Sequence, residues 1–256
     1  MQFLEIQKKI QNAKSLDFGD VFSNSIELFK KVWLQGFLLQ LFTIIVMLPL
    51  IITIYVPFII ALIAQAESGN VDSGTYEAVF AGFSLLAISL FIVGMLVLGT
   101  VSIALNAAFL RIVKRLDYNE EVRTSDFFYF INSKYLGKLL VLMLATFLIS
   151  IIATLLCFVP IIYVIVPMSF FTLFFAFNPD FSVENIIKGS FALGNKKWLL
   201  VFGLIIVSSI LAQIVGMLLC GIGLFFTSTF IYLPTYLVYK EVVGFDNDAT
   251  INHIVD

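Results

Sequence analysis

Four long tracts of this chain carry no charged residue: Val32–Ala66, Ala78–Leu110, Leu139–Pro179 and Trp198–Tyr239. No water-soluble fold of 256 residues hides that much uninterrupted apolar chain, because uncovered apolar surface drives aggregation. Only 12% of the residues are charged, against roughly a quarter in an average soluble domain, which points the same way. The expected class is an all-α integral membrane protein, one membrane domain over residues 1–256. A net charge of −2 gives no footing for nucleic acid, which needs clustered Lys and Arg to displace counterions.

A membrane-crossing helix needs about 20 residues at 1.5 Å each. The last two tracts are about twice that length, and each is broken where a turn would fall, at Cys157–Pro160 and at Cys220–Gly223. Both read as hairpins of two spans. Charge settles the first two tracts. The N-terminal arm holds five Lys, Arg111–Lys138 holds six Lys/Arg, Asn178–Lys197 holds three and the tail holds Lys240, whereas Glu67–Glu77 holds none. Lys and Arg near span ends stay cytoplasmic. One span in each of the first two tracts and two in each of the others leave every Lys and Arg inside. The prediction is six spans, at about 34–64, 79–110, 139–157, 161–178, 198–219 and 224–239, with both termini cytoplasmic. The excess length of the first two is tilt or projection beyond the bilayer, with kinks expected at Pro49 and Pro57. The first thirty residues lack the apolar stretch and cleavage site of a secretory signal, so nothing is expected to be removed.

A cytoplasmic stretch with an apolar stripe precedes each hairpin. Residues 1–32 form an amphipathic arm, with Val21, Phe22, Ser25, Phe29 and Val32 at helical spacing. Phe127, Phe128, Phe130 and Ile131 follow candidate caps Thr124 and Ser125; Val183, Ile186, Ile187, Ser190 and Phe191 follow Ser182. These are predicted interfacial helices on the inner leaflet. The first and third units align without a gap, from Val21/Ile186 through Ser25/Ser190 and Leu28/Leu193 to Trp33/Trp198. Duplication and the shared chemistry of membrane entry account equally for that match. Trp33 and Trp198 are predicted interface anchors at the headgroup level.

No ionisable residue falls inside a predicted span. The polar candidates at depth are Gln40, Asn106 and Gln213, and a buried amide more often bridges two helices than binds a solute. Small residues recur every four positions at Ser208, Ala212, Gly216 and Cys220, and at Thr100, Ala104 and Ala108, a spacing that lets helices approach closely. Cys157 and Cys220 both fall at outer span ends; a bridge between them is one reading and two simple thiols the other. His253 is the only histidine, which argues against multi-His metal or haem sites, and no cofactor is expected. No phosphate-cradling loop or nucleophile elbow occurs. Acidic residues such as Asp17, Asp126 and Glu184 sit near helix starts, where they complement the helix dipole.

The run Asn178-Pro179-Asp180, Asn185-Ile186-Ile187-Lys188-Gly189-Ser190 and Lys196-Lys197-Trp198, followed by an apolar hairpin ending Leu233-Pro234 and Tyr236–Tyr239, resembles a family of bacterial six-helix membrane proteins. These are related to the membrane domain of glycerophosphodiester phosphodiesterases. Phe18-Gly19-Asp20-Val21-Phe22 and Glu27-Leu28-Phe29-Lys30-Lys31 resemble the start of the same group. The resemblance implies a bacterial inner membrane and a lipid-facing accessory role. It transfers no catalytic residue, since the fused soluble domain carries catalysis where it is present. The expected function is a non-catalytic accessory, scaffold or lipid-organising component whose partners are membrane lipids and either another protein or further copies of itself. The alternative is a permease or channel for a neutral or lipid-like solute, lined by Gln40, Asn106, Gln213 and Ser/Thr.

Overall fold

The computed structural model describes residues 2–68, 85–156 and 159–245. The acidic loop after Ser68, Cys157 with its candidate bridge, and the tail carrying His253 lie outside the described residues. Among the described residues helix accounts for 85% and no strand occurs. The elements are α1 (Phe3–Gln11), α2 (Phe18–Ser68), α3 (Leu85–Asp117), a 3-10 turn (Thr124–Phe128), α4 (Ser133–Leu155), α5 (Val159–Ser169), α6 (Phe171–Phe177), α7 (Val183–Lys196), α8 (Trp198–Leu218), α9 (Leu224–Thr227), a second 3-10 turn (Ser228–Ile231) and α10 (Tyr232–Val242). Five helical stretches among them are long and apolar enough to cross a membrane: Phe18–Thr53, Ile88–Asp117, Ser133–Leu155, Val159–Phe177 and Trp198–Leu218. The sixth predicted span, 224–239, is covered by α9, the second 3-10 turn and α10 rather than by one helix.

Leu199 is 79% exposed and Leu218 77%, and large apolar side chains of α2, α3 and α4 also point outward. Such a surface is stable only against lipid. The buried core sits instead where the second half of α3 (Ala104–Val113) packs on α6 and α10 while α7 covers α6, with Phe109, Phe174, Phe175, Tyr236 and Tyr239 fully enclosed.

α2 starts where the Asp17 carboxylate accepts the Asp20 N–H at 3.0 Å, and it continues unbroken through Pro49. The amphipathic arm and the first span are therefore one helix. α1, expected as part of that arm, is separate: Ile6 and Ile10 bury themselves against α7, and Phe3 meets Phe181 edge-on at 5.8 Å. The predicted helix before the second hairpin is only a five-residue 3-10 turn. Its cap is neither Thr124 nor Ser125 but the Asp126 carboxylate, which accepts the Arg123 N–H at 2.8 Å.

α7 forms as expected, with Ser182 Oγ accepting the Asn185 N–H at 3.2 Å. It does not lie apart on a surface. Gly189 abuts Phe174, Gly194 abuts Pro167 and Trp198 reaches Tyr163, so α7 runs antiparallel along α6 and α5. Pro167 has no N–H, which would leave the Tyr163 carbonyl four residues earlier without its helical partner. The Trp198 indole N–H donates to that carbonyl at 3.0 Å. Trp198 thus serves as an internal donor, half-buried and stacked on Phe202, whereas Trp33 remains 44% exposed beside Phe226.

The last tract folds as a hairpin. The turn after α8 uses left-handed backbone at Cys220 (φ 54°) and Gly221 (φ 81°), which glycine adopts without strain. Leu224 then returns onto Gly216, and the Thr227 hydroxyl donates to the Ala212 carbonyl at 2.7 Å. The stripe Ser208, Ala212 and Gly216 is therefore a packing seam, as is Thr100, Ala104 and Ala108; Cys220 is exposed at the tip. This hairpin lies along Phe18–Phe37 of α2: Gly203 faces Phe18, Phe37 stacks on Phe226 at 4.7 Å, and Gly36 abuts Thr229.

Candidate basic cavity at the polar end of the bundle

Polar contacts gather five separate segments at one end of the molecule. Lys9 Nζ donates to the Val243 carbonyl at 2.9 Å, and Lys31 Nζ donates to Asn119 Oδ1 at 3.1 Å. Asp117 accepts from Tyr236 OH at 2.9 Å and from Lys240 Nζ at 2.7 Å. Lys138 Nζ donates to the Pro179 carbonyl, and Lys134 pairs with Asp180 at 3.7 Å. Each link joins stretches far apart in the chain, so the N-terminal arm, the end of α3, the start of α4, the turn before α7 and the end of α10 share one face.

A cavity of about 560 Å³ opens in that face, lined by Arg111, Lys114, Arg115 and Glu120 on one side. Tyr129, Phe177, Asn178, Pro179, Tyr239 and Phe245 complete it. Arg111, Lys114 and Arg115 come from the last turns of α3, where an apolar helix meets its first charges. Cations there also suit the negative end of the helix dipole.

The cations are held differently. Arg115 is committed, pairing with Asp126 at 2.6 Å and with Glu120 at 3.5 Å. Lys114 Nζ sits 4.3 Å from the centre of the Phe245 ring. Arg111 stacks on Tyr129, its guanidinium carbon 3.9 Å from the ring centre, and has no carboxylate partner among the described residues. Its hydrogen bond holds the Tyr129 hydroxyl below the usual phenol range, against burial, which pushes the other way. The floor is aromatic: Phe177 packs on Phe245 at 4.6 Å, and the Asn178 side-chain amide donates to Tyr239 OH at 2.7 Å. Three cations and one carboxylate thus stand over aromatic rings among the described lining residues, with Arg115 already paired to Asp126 and Glu120.

The intramembrane candidates do not come together. Asn106 lines a separate cavity of about 200 Å³ with Ser169, Thr172, Tyr232 and Thr235, and its amide donates to the Ser102 carbonyl at 2.9 Å. Gln40 and Gln213 are not part of that cavity; Gln40 is half-buried on α2, and Gln213 is exposed on the outer face of α8. The bridging expected of a buried amide is therefore not what Gln213 does. The basic cavity is not legible in the sequence because its walls come from three distant stretches, 111–129, 176–179 and 239–245. The clustering of Arg111, Lys114 and Arg115 within five residues was its one visible trace.

Several long apolar helices carrying outward apolar surface, tied together at one polar end, define a multi-pass α-helical membrane protein. Compared with protein-family models, curated proteins and solved structures, the chain matches none.

Proposed function

We propose that this is a non-catalytic multi-pass protein of a bacterial inner membrane that acts as an accessory or lipid-organising component through its polar face. The observation that carries this reading is the basic, aromatic-floored cavity where apolar helices meet their first charges. Both termini are placed in the cytoplasm. Lys9 bonded to Val243 supports an even number of crossings, and the Lys/Arg-rich segments share that end. Six crossings follow if the α8 hairpin reaches the far side at Cys220. The bacterial inner membrane rests on the sequence resemblance.

A permease is the second reading, and the Asn106 cavity is the observation that favours it. It is weakened because Gln40 and Gln213 do not converge there. The deciding experiment is purification of tagged protein in native-membrane nanodiscs, with mass spectrometry of what stays bound. A retained lipid or a stoichiometric protein supports the accessory reading. A preparation that retains neither, yet lets a neutral solute across reconstituted vesicles, replaces it with the permease.

A further inference from the structure

We infer that the cavity between α3, the α5–α6 break and the start of α10 is a binding site for a small neutral polyol, with Asn106, Thr172 and Tyr232 as its polar contacts. The inference concerns occupancy and goes beyond the accessory reading; it stands whether or not the solute crosses the membrane.

Position is the first argument. Asn106, Thr172 and Tyr232 come from three different charge-free tracts, so the cavity of about 200 Å³ lies within the apolar part of the bundle. Two of its walls stand where a helix is interrupted. Ser169 ends α5 and Thr172 lies just past the break at Phe170, while Tyr232 opens α10 directly after the second 3-10 turn. Irregular backbone at membrane depth persists only inside protein or beside a water-filled cavity. Interrupted helices are also where membrane proteins commonly hold small solutes.

Hydrogen-bonding capacity is the second. The Ser169 hydroxyl donates to the Val166 carbonyl at 2.7 Å, and the Thr235 hydroxyl donates to the Tyr232 carbonyl at 2.9 Å. One amide N–H of Asn106 goes to the Ser102 carbonyl. Asn106 Oδ1, its second N–H and the hydroxyls of Thr172 and Tyr232 have no partner among the described residues. Leu110, Leu173 and Thr235 of the same lining are enclosed, whereas Asn106, Ser169, Thr172 and Tyr232 are half-buried. Apart from Met168, the accessible part of the wall is therefore polar. Polar groups left unpaired at such depth are costly, and an occupant that pairs them is stabilised.

Charge and size are the third. No Asp, Glu, Lys or Arg is among the described lining residues, so nothing there compensates an ion. The free groups both donate and accept, as each hydroxyl of a polyol does. The volume falls below the roughly 300–1,000 Å³ of sites for drug-sized ligands. It far exceeds the roughly 10–15 Å³ that one water requires. A solute of about six to eight heavy atoms fits between those limits.

The test is saturation-transfer NMR with erythritol as the probe, on the full-length protein in nanodiscs, read above empty nanodiscs. Wild type is expected to saturate with a Kd on the order of 10 mM. The ether 1,2-dimethoxyethane, small enough for the same cavity but without a donor, should bind about tenfold more weakly. That comparison needs no variant. Tyr232→Phe and Thr172→Val each remove a hydroxyl while keeping the side-chain shape, and each should weaken erythritol roughly three- to tenfold. Thr172→Ser should keep most of the binding. Thr154→Val, which removes an exposed hydroxyl of α4 outside the cavity, should change nothing.

No saturable erythritol signal on wild type overturns the inference and leaves the cavity to water. Equal binding of erythritol and the ether, or equal effects of Tyr232→Phe and Thr154→Val, overturns it as well and moves the solute to the lipid-facing surface. Either failure leaves the accessory reading intact, because that reading rests on the basic cavity. Native nanodiscs that retain neither lipid nor protein would remove the accessory reading and leave the polyol site standing.

Discussion

At Gly194 a β-carbon would stand 2.7 Å from the Pro167 α-carbon and 2.9 Å from its nitrogen, so α7 and α5 touch backbone to backbone. Backbone cannot swing aside as a side chain can. Gly194→Ala should therefore destabilise the protein by ~1–3 kcal/mol, seen as a lower thermal midpoint in detergent. Lys197 makes a second residue-scale test. It is buried, its ammonium donates to the Lys14 carbonyl, and burial holds its pKa below the usual lysine range, with Lys196 adding to the effect. The folded state then resists protonation more than the unfolded state does. Between the lowered and the ordinary lysine range the unfolded chain binds more protons, so stability rises with pH across that alkaline window. The thermal midpoint should climb there in wild type, and Lys197→Met should flatten the climb.

α1 is held by two isoleucines one helical turn apart and by the bond from Lys9 to Val243. Ile6→Ala or Ile10→Ala should each cost about 2–5 kcal/mol of local stability, and hydrogen exchange should quicken over Phe3–Gln11 while α3 stays protected. Unchanged exchange in α1 would show that its docking is not carried by those side chains. This helix was hard to see in the sequence because Lys8, Lys9 and Lys14 dominate the stretch and the buried stripe is only Ile6 and Ile10. Elements with a strong local signal were legible. Ser182 caps α7 as its spacing predicts, and the small-residue stripes at Ser208–Gly216 and Thr100–Ala108 are buried seams. What local pattern could not supply is where an amphipathic face goes. The face of α7 meets Phe174 and Pro167 rather than lipid, and the phenylalanines before α4 form a 3-10 turn because Asp126 bonds back to Arg115 and Arg123. The gapless match of the first and third units survives as burial: Val21, Ser25 and Leu28 are enclosed, and so are Ile186, Ser190 and Leu193. Their helices differ, since α2 runs on where the chain breaks at Lys197.

Across the whole molecule, one polar end ties the chain together while the opposite parts of α2, α3 and α4 present apolar side chains outward. The tip at Cys220 is exposed and charge-free. In a Cys157→Ser chain, Cys220 should react with a membrane-impermeant maleimide added outside intact cells; protection there would mean the hairpin re-enters and leaves four crossings. The gathering of basic segments is the more central claim, because the basic cavity depends on it. The measurement that tests it is impermeant-maleimide labelling of single cysteines placed by Ser15→Cys, Ser73→Cys, Ser125→Cys and Asn247→Cys, in a chain with Cys157→Ser and Cys220→Ser. The expected result is labelling of the Ser73→Cys chain in intact cells and of the other three only after permeabilisation. Labelling of the Ser125→Cys or Asn247→Cys chain from outside would contradict the account.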